Sequence, residues 1–145
     1  MKTFYTRWDE NRKILETRLS GEVNTTDIKN WSYQLVATAK FIPDNTEFKM
    51  LVNLCCFEPG DLITHKEFRT VIPKFLLQCG YSIGYLKLLP AESNIEKSRS
   101  ISCVKVATVH HDEKEMSYYN RRFESKIEKY FIDETASKKW LIQNN

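Results

Sequence analysis

The chain has 145 residues, of which 41% are hydrophobic, 12% aromatic and 28% charged. This length and composition predict one soluble globular domain, residues 1–145, and exclude a long low-complexity linker. The net charge is +3 and the basic residues are interleaved with acidic ones, so we expect a mixed-charge surface and no nucleic-acid partner.

The chain begins with a predicted β-hairpin. Residues 3–8 and 13–19 are strand-like, and the polar residues 9–12 form the turn between them. Ser20 and Gly21 are expected to end the second strand.

A helix is predicted next. Thr25 or Thr26 can cap it, Asp27 is favourable in its first turn, and Pro43 stops it. Its buried face is predicted from apolar residues spaced three or four apart, namely Ile28, Trp31, Leu35, Ala39 and Ile42.

The middle of the chain reads as a central strand followed by a second helix. Residues 48–55 form a short apolar run typical of a strand covered on both faces. Thr64 and Glu67 match a capping box, Pro73 predicts a kink or break, and Gly80 is a natural stop. The apolar residues expected to point inward from this helix are Phe68, Val71, Ile72, Phe75, Leu76 and Cys79.

The C-terminal half alternates strands and helices. The predicted elements are strands at 81–89, 101–110 and 129–132, a polar loop at 90–99, and helices at 112–127 and 134–142. This order predicts an α/β fold with a mixed, mainly parallel sheet, an antiparallel N-terminal hairpin and helices on both faces.

Two adjacent histidines at the end of a predicted central strand raise the question of a metal or catalytic site. Neighbouring residues of a strand point to opposite faces, so His110 and His111 should not share one metal easily. We interpret His110 as the strand end, His111 as the turn and Asp112 as the helix cap, with Glu115 completing a D-x-x-E pattern. Since ligands bind at the carboxyl ends of parallel strands, His65 is expected near the same edge, and a site remains an alternative.

Cys55 and Cys56 follow the other central strand. A vicinal pair can bind a soft metal or sense oxidation, but two small buried side chains at a strand end are the expectation. Tyr118 is a candidate for the rim of a pocket, whereas Tyr119 is expected to face the core.

Several classes of function lack their signatures. No apolar run is long enough to span a bilayer and no apolar signal segment follows the first residues, so we expect a cytoplasmic protein with free cysteines. The sequence has no paired CxxC, no P-loop, no GxGxxG and no GxSxG, so we expect no metal and no cofactor.

The order of three short segments resembles the SpoIIAA-like proteins, which are related to STAS domains and have a CRAL-TRIO-like α/β architecture. The segments are LSGEVNT at 19–25, KMLVNL at 49–54, and YFIDE at 130–134 followed by Ala136 and by WL at 140–141. The resemblance covers nearly the whole chain. It implies a cytoplasmic, bacterial, non-enzymatic domain that acts through binding.

The resemblance also implies a protein partner, because STAS domains bind one under control of a phosphorylated Ser or Thr. The expected Asp-Ser pair is absent from residues 55–64, so the phosphorylation switch is not carried over.

Three functions follow, in order of expectation. The first is a STAS-like regulatory domain that binds a protein partner or forms a homodimer. The second is a binder of a small apolar ligand or lipid, with a pocket at the strand ends near Cys55, Cys56, His65, His110 and Tyr118. The third is a metal-dependent enzyme that uses His65, His110, His111 and Asp112.

Overall fold

The structure is a computed structural model that describes residues 2–78 and 100–143. Its elements in chain order are β1 (Thr3–Asp9), β2 (Ile14–Val23), α1 (Thr25–Ala39), β3 (Glu47–Asn53), β4 (Phe57–Pro59), α2 (Leu62–Gln78), β5 (Ser102–Val109), α3 (Glu113–Phe123), β6 (Glu128–Phe131) and α4 (Glu134–Ile142). The strand and loop expected at 81–99, the inward-facing Cys79 and the stop at Gly80 lie outside the described residues.

The strands form one mixed sheet in the order β1-β2-β3-β5-β6, and β4 pairs with the end of β2. β1 and β2 are antiparallel, and every other pairing is parallel. The predicted mainly parallel sheet with an N-terminal hairpin is therefore confirmed.

The second strand of the hairpin is longer than predicted, because Ser20 and Gly21 do not end it. Gly21 has a φ of 86°, which glycine adopts without strain, and its N–H donates to the carbonyl of Cys56 at 2.8 Å. The strand continues to Val23 and pairs there with β4, a three-residue strand that the sequence did not predict.

The first helix is capped by Asn24 rather than by Thr25 or Thr26. The Asn24 side chain accepts from the N–H of Asp27, and the Asp27 carboxylate accepts from the N–H of Asn24, both at 2.9 Å. The backbone hydrogen bond from Asn24 and the Lys2 ammonium lower the pKa of Asp27. All five residues of the predicted inner face, from Ile28 to Ile42, are buried.

The second helix also starts earlier than its predicted capping box. It begins at Leu62, and the carboxylate of Asp61 accepts from the N–H of Thr64 at 2.8 Å. This hydrogen bond lowers the pKa of Asp61. Pro73 lies inside the helix, which continues to Gln78, so of the expected kink or break the break does not occur.

The third helix is shorter than predicted. Asp112 caps it by accepting from the N–H of Glu115 at 3.1 Å, as expected. The helix ends at Phe123 instead of residue 127, because Glu124 leaves the helical region and Ser125 donates through its N–H to the carbonyl of Glu128 at the start of β6.

Helices cover both faces of the sheet. On one face α1 and α2 enclose the larger core, which includes Leu15, Leu19, Trp31, Phe48, Met50, Phe75 and Leu76. On the other face α4 covers a smaller core formed by Ile14, Leu51, Ala107, Val109 and Leu141. Among the described residues, no helix is both long enough and apolar enough to cross a membrane.

Candidate functional site

A cavity of about 280 Å³ lies at the carboxyl ends of β3 and β5, between α2 and α3. We call it the strand-end pocket. Its lining residues are Leu54, Phe57, Pro59, His65, Phe68, Arg69, Thr108, His110, Glu115, Met116, Tyr119 and Tyr130. This edge of a parallel sheet is where α/β folds bind their ligands, because the strands end there and the connecting segments can diverge.

Two helices face each other across the strand-end pocket. His65 and Arg69 are four residues apart on α2, and Glu115 and Tyr119 are four residues apart on α3. Side chains at this spacing lie on the same face of a helix. Each helix therefore contributes one pair of polar groups to the cavity.

The remaining wall is apolar and continuous with the larger core. The rings of Phe57 and Phe68 pack with centroids 4.4 Å apart, and Phe68 stacks on Trp31 at 5.8 Å. Met116 is almost fully buried. These rings pack with the larger core, which holds this wall in place, as expected for a preformed ligand pocket.

His110 lies where β5 opens into the pocket. Its Nδ1 accepts from the N–H of Asp112 at 3.0 Å, so the neutral ring carries its proton on Nε2. Half-burial of the ring lowers the pKa of His110, and the neighbouring His111 lowers it further. Opposing contributions from Glu115 and Asp112 do not reverse this shift. The ring is therefore a neutral Nε2–H donor at neutral pH.

The sequence predicted that the side chains of the two adjacent histidines point to opposite faces of an extended strand. This prediction is wrong. Their rings stack with centroids 4.3 Å apart and an interplanar angle of 19°. The strand has already ended at Val109, so the alternation of side chains no longer applies. His111 lies outside the strand-end pocket, and its Nδ1 accepts from the N–H of Cys56 at 3.0 Å.

Of the two adjacent tyrosines of α3, Tyr119 is the one that lines the strand-end pocket. Its ring stacks on Tyr130 at 5.4 Å, and burial, with a further contribution from Glu115, raises the pKa of its hydroxyl. It therefore stays protonated and can donate a hydrogen bond. Tyr118, the predicted rim residue, is 46% exposed, does not line the pocket, and accepts from Arg122 through its hydroxyl oxygen.

Arg69 contributes a guanidinium group to the lining of the strand-end pocket. The sequence analysis did not predict it as a site residue. Within the described part of the chain its side chain forms no ion pair and no hydrogen bond. Glu115 faces the same cavity from the opposite helix. The four-residue spacing from His65 to Arg69 was the available signal, but arginines on helix surfaces are too common for spacing alone to single one out.

A larger groove of about 470 Å³ runs between α1 and α2. Lys29, Glu67 and Lys74 line it, and its lining reaches Gln78, the last described residue of α2. The groove lies away from the strand ends, where α/β folds usually bind ligands. We therefore place the candidate site at the strand-end pocket.

Comparison with known proteins identifies the architecture. No protein-family model matches the chain, and no curated protein matches it. Among solved structures it is similar to an uncharacterised protein of the DUF3478 family with a SpoIIAA-like fold, from Shewanella loihica PV-4. The TM-score is 0.58 and the identity 12%, and the match covers 97% of this chain and 93% of that chain.

This chain has a SpoIIAA-like fold. The fold expected from the three sequence segments is therefore confirmed. At this level of identity the similarity establishes the fold alone.

The SpoIIAA-like fold brings together some of the predicted site residues. His65 and His110 share the strand-end pocket, whereas Cys55, Cys56 and Asp112 do not line it. Asp112 caps α3, and the two cysteines lie in the turn between β3 and β4. Ligand binding by any of these residues stays a prediction.

The donor set for a metal is sparse in this SpoIIAA-like fold. Within residues 2–78 and 100–143, no three His, Cys, Asp or Glu side chains are grouped so that they could hold a metal ion. Three protein ligands are the usual minimum for a catalytic zinc.

Proposed function

We propose that this SpoIIAA-like domain is a non-enzymatic binding module that holds a small apolar carboxylic acid in the strand-end pocket. The observation that carries the proposal is the guanidinium of Arg69, which forms no ion pair and no hydrogen bond with the described residues and lies on a pocket whose other walls are largely apolar. Guanidinium and carboxylate match in geometry and form paired hydrogen bonds, and the pairing is stronger away from bulk water.

The other polar groups of the pocket indicate the charge of the ligand's polar head group. His110 and Tyr119 are both neutral donors at neutral pH, so they can bind a carboxylate oxygen without bringing charge. Glu115 faces the same cavity and repels a second negative charge. We therefore expect a monoanion rather than a dianion such as a phosphate monoester.

The apolar walls and the volume of the pocket indicate the size and shape of the apolar part of the ligand. Phe57, Phe68 and Met116 provide an aromatic and thioether surface. The cavity of about 280 Å³ lies just below the usual range of about 300–1,000 Å³ for ligand pockets, which favours a short alkyl chain or a single ring. Among the described residues, the pocket lining contains no cysteine and no serine, which supports binding without a covalent step.

The experiment compares octanoate with 1-octanol, which share an alkyl chain and differ in the charged head. We expect octanoate to raise the melting temperature of the wild-type chain and octanol to raise it much less. A ligand at a hundredfold excess over its Kd adds about 2.7 kcal/mol to the free energy of unfolding.

Two matched variants test the assignment of the head group. Arg69→Met should remove the octanoate shift, whereas Lys66→Met should keep it, since Lys66 is exposed on the same helix and does not line the pocket. An octanoate shift of the same size in Arg69→Met would show that binding occurs elsewhere. No shift with either ligand at millimolar concentration would remove the proposal.

Association with a protein is the second candidate function. Leu62 and Ile63, in the first turn of α2, are 67% and 71% exposed, and adjacent exposed apolar side chains favour a contact surface. The simplest partner is a second copy of the chain. We expect a light-scattering mass of two chains, reduced to one by Leu62→Ser with Ile63→Ser, and a wild-type mass of one chain would contradict self-association.

A further inference from the structure

Cys55 and Cys56 form a close pair of free thiols in the turn between β3 and β4. Their Sγ atoms are 3.6 Å apart. Cys56 is exposed and Cys55 is half-buried, so small molecules can reach the pair. Neither residue lines the strand-end pocket, and the proposed function does not use them.

The backbone around Cys56 is held in an unusual conformation. Its φ is 70°, in the left-handed region that L-residues with a side chain seldom occupy. The N–H of Cys56 donates to His111 Nδ1 at 3.0 Å, and its carbonyl accepts from the N–H of Gly21 at 2.8 Å. The N–H of Cys55 donates to the Asn53 side chain at 3.0 Å. Contacts from three segments therefore fix a strained turn that places the two sulfurs together.

We propose that Cys55 and Cys56 are a redox site that closes to a vicinal disulfide when the protein meets a hydroperoxide. The Cys56 thiolate attacks the terminal peroxide oxygen, the O–O bond breaks, and the leaving hydroxide or alkoxide takes a proton to become water or an alcohol. Cys56 is then a sulfenic acid. The Cys55 sulfur attacks the Cys56 sulfur, the S–O bond breaks, and water leaves with the thiol proton of Cys55. The two thiols lose two electrons, and the peroxide gains them.

The order of attack follows from the position of each thiol. Cys56 is the exposed member of the pair and meets the peroxide first. The hydrogen bond between the two sulfurs raises the pKa of Cys55, and burial raises it further. Cys55 therefore keeps its proton and is the resolving thiol.

The disulfide is expected to be reversible. Consecutive Cα atoms are about 3.8 Å apart across a trans peptide, which is shorter than the 4.4–6.8 Å that unstrained disulfides usually span. A strained and exposed disulfide is readily reduced. Small thiols should therefore reduce the disulfide back to the two free thiols. A regulatory site requires this reversibility, whereas a structural disulfide does not.

The test maps the cysteines of the full wild-type chain after a brief treatment with stoichiometric hydrogen peroxide. Trypsin digestion gives a peptide of residues 50–66 that contains both Cys55 and Cys56. Cys79 lies in the separate peptide 75–87, and Cys103 lies in peptide 100–105. After alkylation under denaturing conditions, we expect peptide 50–66 to have lost two hydrogens and to carry no alkyl group. Glutathione added before alkylation should restore two alkyl groups.

Two other results would overturn the proposal. One is peptide 50–66 carrying two alkyl groups after peroxide treatment that oxidises free cysteine under the same conditions. The other is a disulfide that joins residues 50–66 to another peptide.

Variants provide a second, independent measurement. Cys55→Ser should leave Cys56 as a sulfenic acid that dimedone labels, because its resolving thiol is gone. Cys103→Ser is the matched control, since Cys103 is buried and far along the chain, and it should form the 50–66 disulfide as the wild type does. Dimedone labelling of Cys56 that is as strong in the wild type as in Cys55→Ser would show that Cys55 does not resolve it.

Discussion

At the scale of single residues, the hydrogen bond of His110 ties its protonation to the stability of the fold. Burial lowers the pKa of His110 below its ordinary value of 6.5, and Nδ1 must stay unprotonated to accept from Asp112. The folded protein therefore binds fewer protons here than the unfolded chain does. The stability that this histidine contributes is fully present above the unfolded pKa and is lost as the pH falls through the folded pKa.

We therefore expect His110→Asn to make the melting temperature less sensitive to pH between about 8 and 5. Asparagine retains an acceptor for the N–H of Asp112 but does not titrate. The carboxylates are common to both proteins, so the difference between the two pH profiles isolates His110. Parallel profiles would show that His110 does not titrate with folding.

The candidate site was only partly predictable from its residues. His65 and His110 could be assigned to one edge, because His110 ends one predicted central strand and His65 lies at the start of the helix that follows the other. The sequence did not show which of the adjacent Tyr118 and Tyr119 lines the pocket. A helix over a sheet edge can bury one side chain against the sheet while the same side chain also borders a cavity, as Tyr119 does. The stacking of His110 on His111 depends on where the strand ends, to within one residue.

At the scale of elements, the short strand β4 is held against β2 by a close backbone approach at Gly60. The N–H of Gly60 donates to the carbonyl of Val23 at 2.8 Å, and a Cβ added at Gly60 would lie 2.9 Å from that oxygen. Neither group is a flexible side chain, so an added methyl group must push the strands apart.

Gly60→Ala should therefore lower the free energy of unfolding by about 1–3 kcal/mol, as overpacking does. Urea denaturation measures the change. Glu58→Ala is the matched control, because Glu58 is exposed in the middle of β4, two residues before Gly60, and its loss should change stability by less than about 0.5 kcal/mol. Equal stability of Gly60→Ala and the wild type would mean that β4 can move away from β2 at no cost.

Local patterns predicted most elements, and tertiary contacts account for the errors. α4 matches its predicted bounds, since Asp133 caps it and accepts from the N–H groups of Thr135 and Ala136. The extension of β2 past Gly21 depends on β4, which is distant in sequence and too short to show periodicity. α2 continues through Pro73, which is buried, and this burial could not be derived from the local pattern.

At the scale of the whole molecule, the SpoIIAA-like sheet is covered unequally. α1 and α2 enclose a large core on one face, whereas the smaller core on the other face is closed by α4. Lys105 joins that helix to the sheet, because its ammonium donates to the carbonyls of Trp140 and Gln143 and lies 4.8 Å from the centre of the Trp140 ring. The stability of the smaller core should therefore depend strongly on few side chains.

Leu141→Ala tests this dependence. Leu141 is fully buried against the second face of the sheet, so its truncation should lower the free energy of unfolding by about 2–5 kcal/mol. The neighbouring Ile142 is 50% exposed, so Ile142→Ala in the same turn should change stability by less than about 0.5 kcal/mol. Urea denaturation of both variants gives the comparison, and equal losses would show that α4 does not close the second core. Leu141→Ala should also keep the octanoate shift of the wild type, because the wall of the strand-end pocket is continuous with the larger core and Leu141 belongs to the smaller one.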